Sequence, residues 1–168
     1  MTKVNPHIFR AYDIRGIADP LDDKAADLTE ETAYLIGRGI GTYIVEKYQY
    51  QSFVVGSDNR LTSDSLKASY IQGLRECGLN VTDIGLSTSP MLYYTVCAFE
   101  FDAGTNITAS HNPKEYNGIK LVGKHAHSIC GDELQEILKK INEEKFLNAE
   151  LGSLKTLNPW PKYLDELN

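Results

Sequence analysis

Long apolar runs are missing from this chain. No stretch approaches the roughly 18 consecutive apolar residues that a membrane-crossing helix requires. The opening segment MTKVNPHIFR also lacks the apolar centre of a secretory leader. Cysteine is scarce: Cys77, Cys97 and Cys130 are widely spaced and odd in number, which argues against a disulfide framework. These absences lead to the expectation of a cytoplasmic protein with reduced thiols and no membrane partner. The glycosylation sequons at Asn80 and Asn106 carry no weight without a secretory route. Positive charge is not in excess either. The net charge is −6, and broad nucleic-acid binding needs a basic surface. A phosphorylated ligand is still compatible, because a few local cations suffice for it. No internal repeat or low-complexity segment is visible. What is present is an ordinary globular composition, 42% hydrophobic and 24% charged over 168 residues. That length suits one domain, which buries about two-thirds of its unfolded surface.

Apolar periodicity organises the chain. Thr29 is a suitable N-cap, and Glu30 and Glu31 favour a helix N-terminus that continues through Ala33, Ile36, Ile40 and Ile44. The GRGIG run inside this helix has no strand before it, so close helix packing explains it better than a dinucleotide-binding loop. SFVVGSD (52–58) reads as a buried strand. A helix with Leu66, Tyr70, Leu74 and Cys77 on one face follows, closed by Gly78 as a C-terminal cap. LNVTDIG is the second strand. Ser89 then serves as N-cap and Pro90 as first residue of a third helix, and AGTNITA is the third strand. This alternation predicts a parallel sheet covered on both faces. GIKLVG follows within about ten residues, too few for a helical crossover, so it should run antiparallel. Leu134, Ile137, Leu138 and Ile141 mark a last helix. The expected fold is therefore a three-layer α/β/α domain with a four-stranded mixed sheet whose last strand is antiparallel. Residues 1–150 would form it, with 151–168 a linker and the start of a truncated second domain.

Between the third and fourth strands lies TASHNPKEYNGIK (108–120). A turn there needs only Asn117-Gly118; the cluster Ser110-His111-Asn112-Pro113 needs another reason. It sits at the sheet edge where open α/β folds bind ligands. His111 and Lys120 supply positive charge, Asn112 an amide, and Pro113 stiffness. Adjacent residues of an extended chain point apart, so Ser110 and His111 are poorly placed as nucleophile and base. The group suits a phosphate better than a serine hydrolase.

This loop resembles the active-site loop of the α-D-phosphohexomutases. FRAYDIRG (9–16) resembles that family's N-terminal signature, and VGSDNR (55–60) its first-strand loop. The likeness is to the first domain of the bacterial phosphomannomutase/phosphoglucomutase type, in matching order over essentially the whole chain. It implies that Ser110 carries a phosphoryl group, passes it to a hexose phosphate and recovers another from the bisphosphate intermediate, and that its phosphate ligands Mg²⁺. It implies catalytic roles in acid–base exchange and charge stabilisation for Arg15 and Lys120, an active-site role for His111, and substrate binding by Arg60 and Asn112. Arg60 has a second reading as a brace of the loop through Asp58. Hexose 1,6-bisphosphate would be the activator, hexose phosphates the substrates, and the later domains of the same chain the partners.

The family's Asp-Gly-Asp-x-Asp-Arg metal loop, its sugar-recognition loop and its C-terminal phosphate loop are absent from these residues. The expectation is a domain that folds but does not turn over substrate alone. A non-catalytic sugar-phosphate binding module and a phosphoglucosamine mutase domain are the alternatives. HAHSIC (125–130) contains possible metal ligands but no second pair, and reads as a polar loop, while His7 has no evident role.

Overall fold

The computed structural model describes residues 4–20 and 23–168. The elements in chain order are β1 (Ile14–Ile17), α1 (Glu30–Tyr48), β2 (Ser52–Ser57), α2 (Ser63–Glu76), β3 (Asn80–Leu86) and α3 (Ser89–Ala98). They continue with β4 (Ala103–Ile107), β5 (Tyr116–Val122), α4 (Asp132–Asn142), β6 (Leu154–Thr156) and α5 (Trp160–Leu167). The sheet order is β1-β5-β4-β2-β3-β6. β2, β3 and β4 are parallel, and β5 runs antiparallel to β4 across a connection that contains no helix.

The sheet has six strands where the sequence pattern predicts four. β1 adds to the outer side of β5, antiparallel, with Arg15 opposite Gly118. β6 adds parallel to β3, so the chain's last strand is not the antiparallel one. Both additions are short edge strands. β1 is the four residues IRGI, and β6 is LKT, exposed throughout. Neither carries enough apolar alternation to stand out. The segment expected to be a linker thus supplies a strand, and Trp160 and Tyr163 of α5 pack on the smaller core cluster.

Helices cover both faces. α1, α2 and α4 enclose the larger core, including Ile36, Ile40, Phe53, Tyr70, Ile107 and Ile137. α3 buries Met91, Leu92 and Val96 against Val54, Ile84 and Val122 on the other face. Thr29 caps α1 as expected, in a reciprocal pair with Thr32. Gly78, at φ +87°, follows the C-cap of α2. At α3 the cap is Thr88 rather than Ser89, which is already helical. Thr88 keeps an extended backbone and its hydroxyl accepts from Met91 N–H, one residue earlier than the Ser-Pro pattern suggests.

The GRGIG run is a packing device. A Cβ at Gly37 would lie 2.3 Å from Tyr70 O, and one at Gly39 would lie 2.5 Å from Ile141 Cγ1. Across the α1–α2 contact, a Cβ at Gly73 would meet Tyr34 O at 2.3 Å and Arg38 N at 2.8 Å. These are backbone atoms, which cannot rotate aside. Gly73→Ala is expected to destabilise the domain by about 3 kcal/mol, the upper end of overpacking costs. A urea denaturation midpoint equal to wild type would contradict this packing.

Candidate active site

The two parallel crossovers run in opposite directions along the sheet: α2 carries the chain from β2 to β3 on one side, and α3 carries it from β3 back past β2 to β4 on the other. Open α/β sheets place ligands at such a switch point, beyond the carboxyl ends of the strands. A cleft of about 870 Å³ lies there. Its walls come from the loops after β2 (Asp58 to Leu61), after β3 (Ser87 to Pro90) and after β4 (Ser110 to Asn112). Lys120 of β5 and Asn106 of β4 complete it from the sheet.

Ser110 is exposed at the tip of the third loop, with φ +57°. A left-handed backbone costs a residue with a Cβ roughly 1–2 kcal/mol, so its surroundings must hold it. Ser110 N–H donates to Thr108 Oγ1 at 3.0 Å, and Asn112 N–H to Ala109 O at 3.0 Å. The larger restraint is Arg60. Its Nη1 donates to Pro113 O at 2.6 Å and Tyr116 O at 3.0 Å, and its Nη2 to Ser110 O at 3.0 Å and Asn112 O at 2.8 Å. Its Nε donates to Asp58 Oδ2 at 3.1 Å. A guanidinium has five N–H donors, and all five are used. Asp58 is itself fixed, its Oδ1 accepting from Ser63 Oγ and Arg60 N–H. The expected substrate contact by Arg60 therefore meets a side chain with no free donor, whereas the alternative role, bracing the loop through Asp58, matches its bonds.

The left-handed turn at Ser110 also changes the Ser–His geometry. The chain is not extended there, and Ser110 Oγ lies 3.5 Å from His111 Nδ1 rather than pointing away from it. That is longer than the usual range of such hydrogen bonds. Asn112 lines the cleft and its Oδ1 accepts from Arg15 Nη1 at 2.7 Å. Arg15 Nε is paired with Asp13 at 2.8 Å. Arg15 thus reaches the loop through Asn112, while Ser110, His111 and Lys120 line the cleft itself. The Lys120 ammonium lies 5.9 Å from the Tyr93 ring centroid and has no carboxylate partner among the described residues.

Ser87, Thr88 and Asn106 also line the cleft, and none of them stands out in the sequence as a binding residue. The available signal was a polar residue inside an otherwise apolar strand, since asparagine is seldom fully buried. Among the described residues no three His, Cys, Asp or Glu side chains are grouped to hold a metal ion. His125 and His127 are exposed, with His125 and Ala126 in left-handed backbone, and Cys130 is half-buried. His7 is exposed in a short turn, its N–H donating to Asn5 Oδ1. No described helix is long and apolar enough to cross a membrane.

The family model for phosphoglucomutase/phosphomannomutase, alpha/beta/alpha domain I, matches residues 6–148, and the chain belongs to that family. It is 39% identical over 162 residues to a phosphomannomutase of Vibrio cholerae, covering 95% of this chain and 34% of the relative. A phosphomannomutase of Klebsiella pneumoniae is 38% identical over 161 residues, covering 94% of this chain and 96% of that relative. A crystal structure of a phosphoglucomutase/phosphomannomutase family protein from Burkholderia thailandensis superposes with a TM-score of 0.84 at 29% identity. That superposition covers 98% of this chain and 36% of the other. The chain therefore spans about a third of the Vibrio cholerae relative and of the Burkholderia thailandensis protein.

Proposed function

We propose that the chain is the phosphoserine-bearing first domain of a phosphohexomutase that interconverts hexose 6-phosphates and 1-phosphates. Mannose and glucose are the favoured sugars. The observation that carries this reading is Ser110 itself: an exposed hydroxyl on a braced, left-handed turn, in one cleft with His111 and Lys120. A serine hydrolase fits less well, because the Ser110–His111 separation is long and no hydrogen bond among the described residues orients the imidazole from behind.

In this proposal phosphoserine 110 gives its phosphoryl group in line to a hydroxyl of the hexose phosphate. The bisphosphate reorients and returns its other phosphoryl group to Ser110 Oγ. Little covalent work is left for the protein, so positioning and charge neutralisation carry the catalysis. Lys120 can take the incoming hydroxyl's proton or give one to the serine oxygen. Arg15 holds Asn112 and adds positive charge beside the loop, and His111 can bond a phosphoryl oxygen. Arg60 acts through the loop rather than on substrate.

The described residues do not fit a complete Mg²⁺ site. Such an ion needs several oxygen ligands in octahedral array, and of the two carboxylates lining the cleft, Asp19 and Asp58, the second is occupied by Arg60 and Ser63. The proposal assigns this chain at most the Ser110 phosphate as a ligand. The proposal sets this work in the cytoplasm, a reading that the three free cysteines support.

The test joins residues 1–168, in place of the matching segment, to the rest of the Vibrio cholerae relative. With Mg²⁺ and glucose 1,6-bisphosphate, the chimaera should convert mannose 1-phosphate to mannose 6-phosphate, while the 168-residue chain alone should not. A folded chimaera without turnover would favour the binding-module reading. Turnover only on glucosamine phosphate would reassign the sugar, and full turnover by the chain alone would overturn the single-domain account.

A further inference from the structure

The sheet floor of the cleft contains a polar unit that the reaction described above does not use. Asn106 is 1% exposed and Ser87 3% exposed, yet both line the cleft. Ser87 Oγ donates to Asn106 Oδ1 at 2.6 Å. The two residues are not on neighbouring strands. Ser87 follows β3, Asn106 is on β4, and β2 lies between them. The residue of β2 opposite Asn106 is Gly56. A Cβ there would lie 2.1 Å from Ser87 Oγ, so the missing side chain is what lets the hydroxyl cross the strand.

This bond fixes the amide. With Oδ1 tied to Ser87, the two N–H donors of Nδ2 have no partner among the described residues. Arg38 Nε is the only fully buried side-chain polar atom without a partner among those residues, so the Asn106 amide, though nearly enclosed, is not sealed off, and the space it borders is the cleft. Beside it is Lys120, its direct cross-strand partner and therefore on the same face. Lys120 is held over the Tyr93 ring and lacks a carboxylate partner among the described residues. The first turn of α3, through Thr88 to Pro90, lines the same wall. A helix N-terminus adds partial positive charge. An amide donor edge and an ammonium side by side, both unpaired, are completed by an oxyanion and by little else. A buried amide donor left unmatched is costly, which favours a ligand that satisfies it.

We propose that Asn106, locked by Ser87 across Gly56, forms with Lys120 a phosphate-oxygen subsite on the floor of the cleft. It takes a phosphate monoester or inorganic phosphate. This inference rests on the reading of the cleft as a sugar-phosphate site and adds a binding residue to it.

The test is a nuclear magnetic resonance titration of the ¹⁵N-labelled 168-residue chain at constant ionic strength. Inorganic phosphate, mannose 1-phosphate and mannose are the three ligands. Both phosphates should shift the Asn106 side-chain amide pair saturably, and mannose should not. Asn106→Asp keeps the shape but replaces the donor with a negative charge, and should weaken phosphate binding at least about tenfold. Ser87→Ala frees the amide and should weaken it about threefold. The same spectra report whether each variant is folded. If phosphate shifts residues 110–112 but leaves the Asn106 side chain unmoved, the subsite is overturned and the proposed function stands. If mannose alone moves Asn106, the subsite reads hydroxyls and the proposal is wrong. If no cleft resonance responds to either phosphate, both the subsite and the sugar-phosphate reading fall.

Discussion

In the chimaera with the Vibrio cholerae relative, Ser110→Ala is expected to lower kcat by about four orders of magnitude or more. Removing the group that forms a covalent intermediate leaves only binding and positioning. No neighbour can take over. In-line transfer is aimed at the position of Ser110 Oγ, and the His111 imidazole sits 3.5 Å from it. The loss should not come from misfolding, because alanine tolerates the left-handed backbone about as poorly as serine does. Ser110→Gly sharpens the point. Glycine relieves the strain at φ +57°, so this variant should melt no lower than wild type and be just as inactive. Steady-state assays beside thermal melts would separate the two effects. Retention of even a tenth of wild-type turnover in either variant would remove Ser110 from the chemistry.

Arg60→Lys is expected to lower chimaera kcat by about a hundredfold, on the order of the cost of displacing a reacting group by about 1 Å. The charge is kept, but a lysine has three donors on a flexible stem and cannot span four carbonyls and a carboxylate at once. The carbonyls of Ser110, Asn112, Pro113 and Tyr116 would lose their common anchor, and the left-handed turn at Ser110 would lose its main restraint. If Arg60 works through the loop, kcat should fall while KM changes little. Its phosphoserine content after incubation with bisphosphate should fall in parallel. A large rise in KM with kcat intact would instead mean that Arg60 binds substrate directly.

Much of this arrangement is visible in the sequence because its determinants are local. The Ile36-Ile40-Ile44 stripe and the Thr29 cap define α1, and the short span from Ile107 to Tyr116 forces β5 to return antiparallel. GRGIG is legible as packing because it interrupts a helical period rather than following a strand. The polar cluster from Ser110 to Lys120 is also local, and all but Arg15 of the expected catalytic residues lie within it. What escapes is non-local. β1 and β6 are strands only because β5 and β3 offer them an edge. The saturation of Arg60 depends on carbonyls 50 to 56 residues away. The Ser87–Asn106 bond needs a glycine on a third strand. The Ser110–His111 relation escapes for the same reason, since an extended segment would turn the two side chains apart where Arg60 instead holds a left-handed turn.

The most direct measurement is the location of the phosphoryl group. The chimaera is incubated with Mg²⁺ and glucose 1,6-bisphosphate, digested, and its phosphopeptides are sequenced by tandem mass spectrometry. The account predicts one phosphoryl group on Ser110, lost in Ser110→Ala and discharged when mannose 6-phosphate is added. A phosphoryl group on another residue, or sustained turnover with Ser110 unmodified throughout, would contradict it.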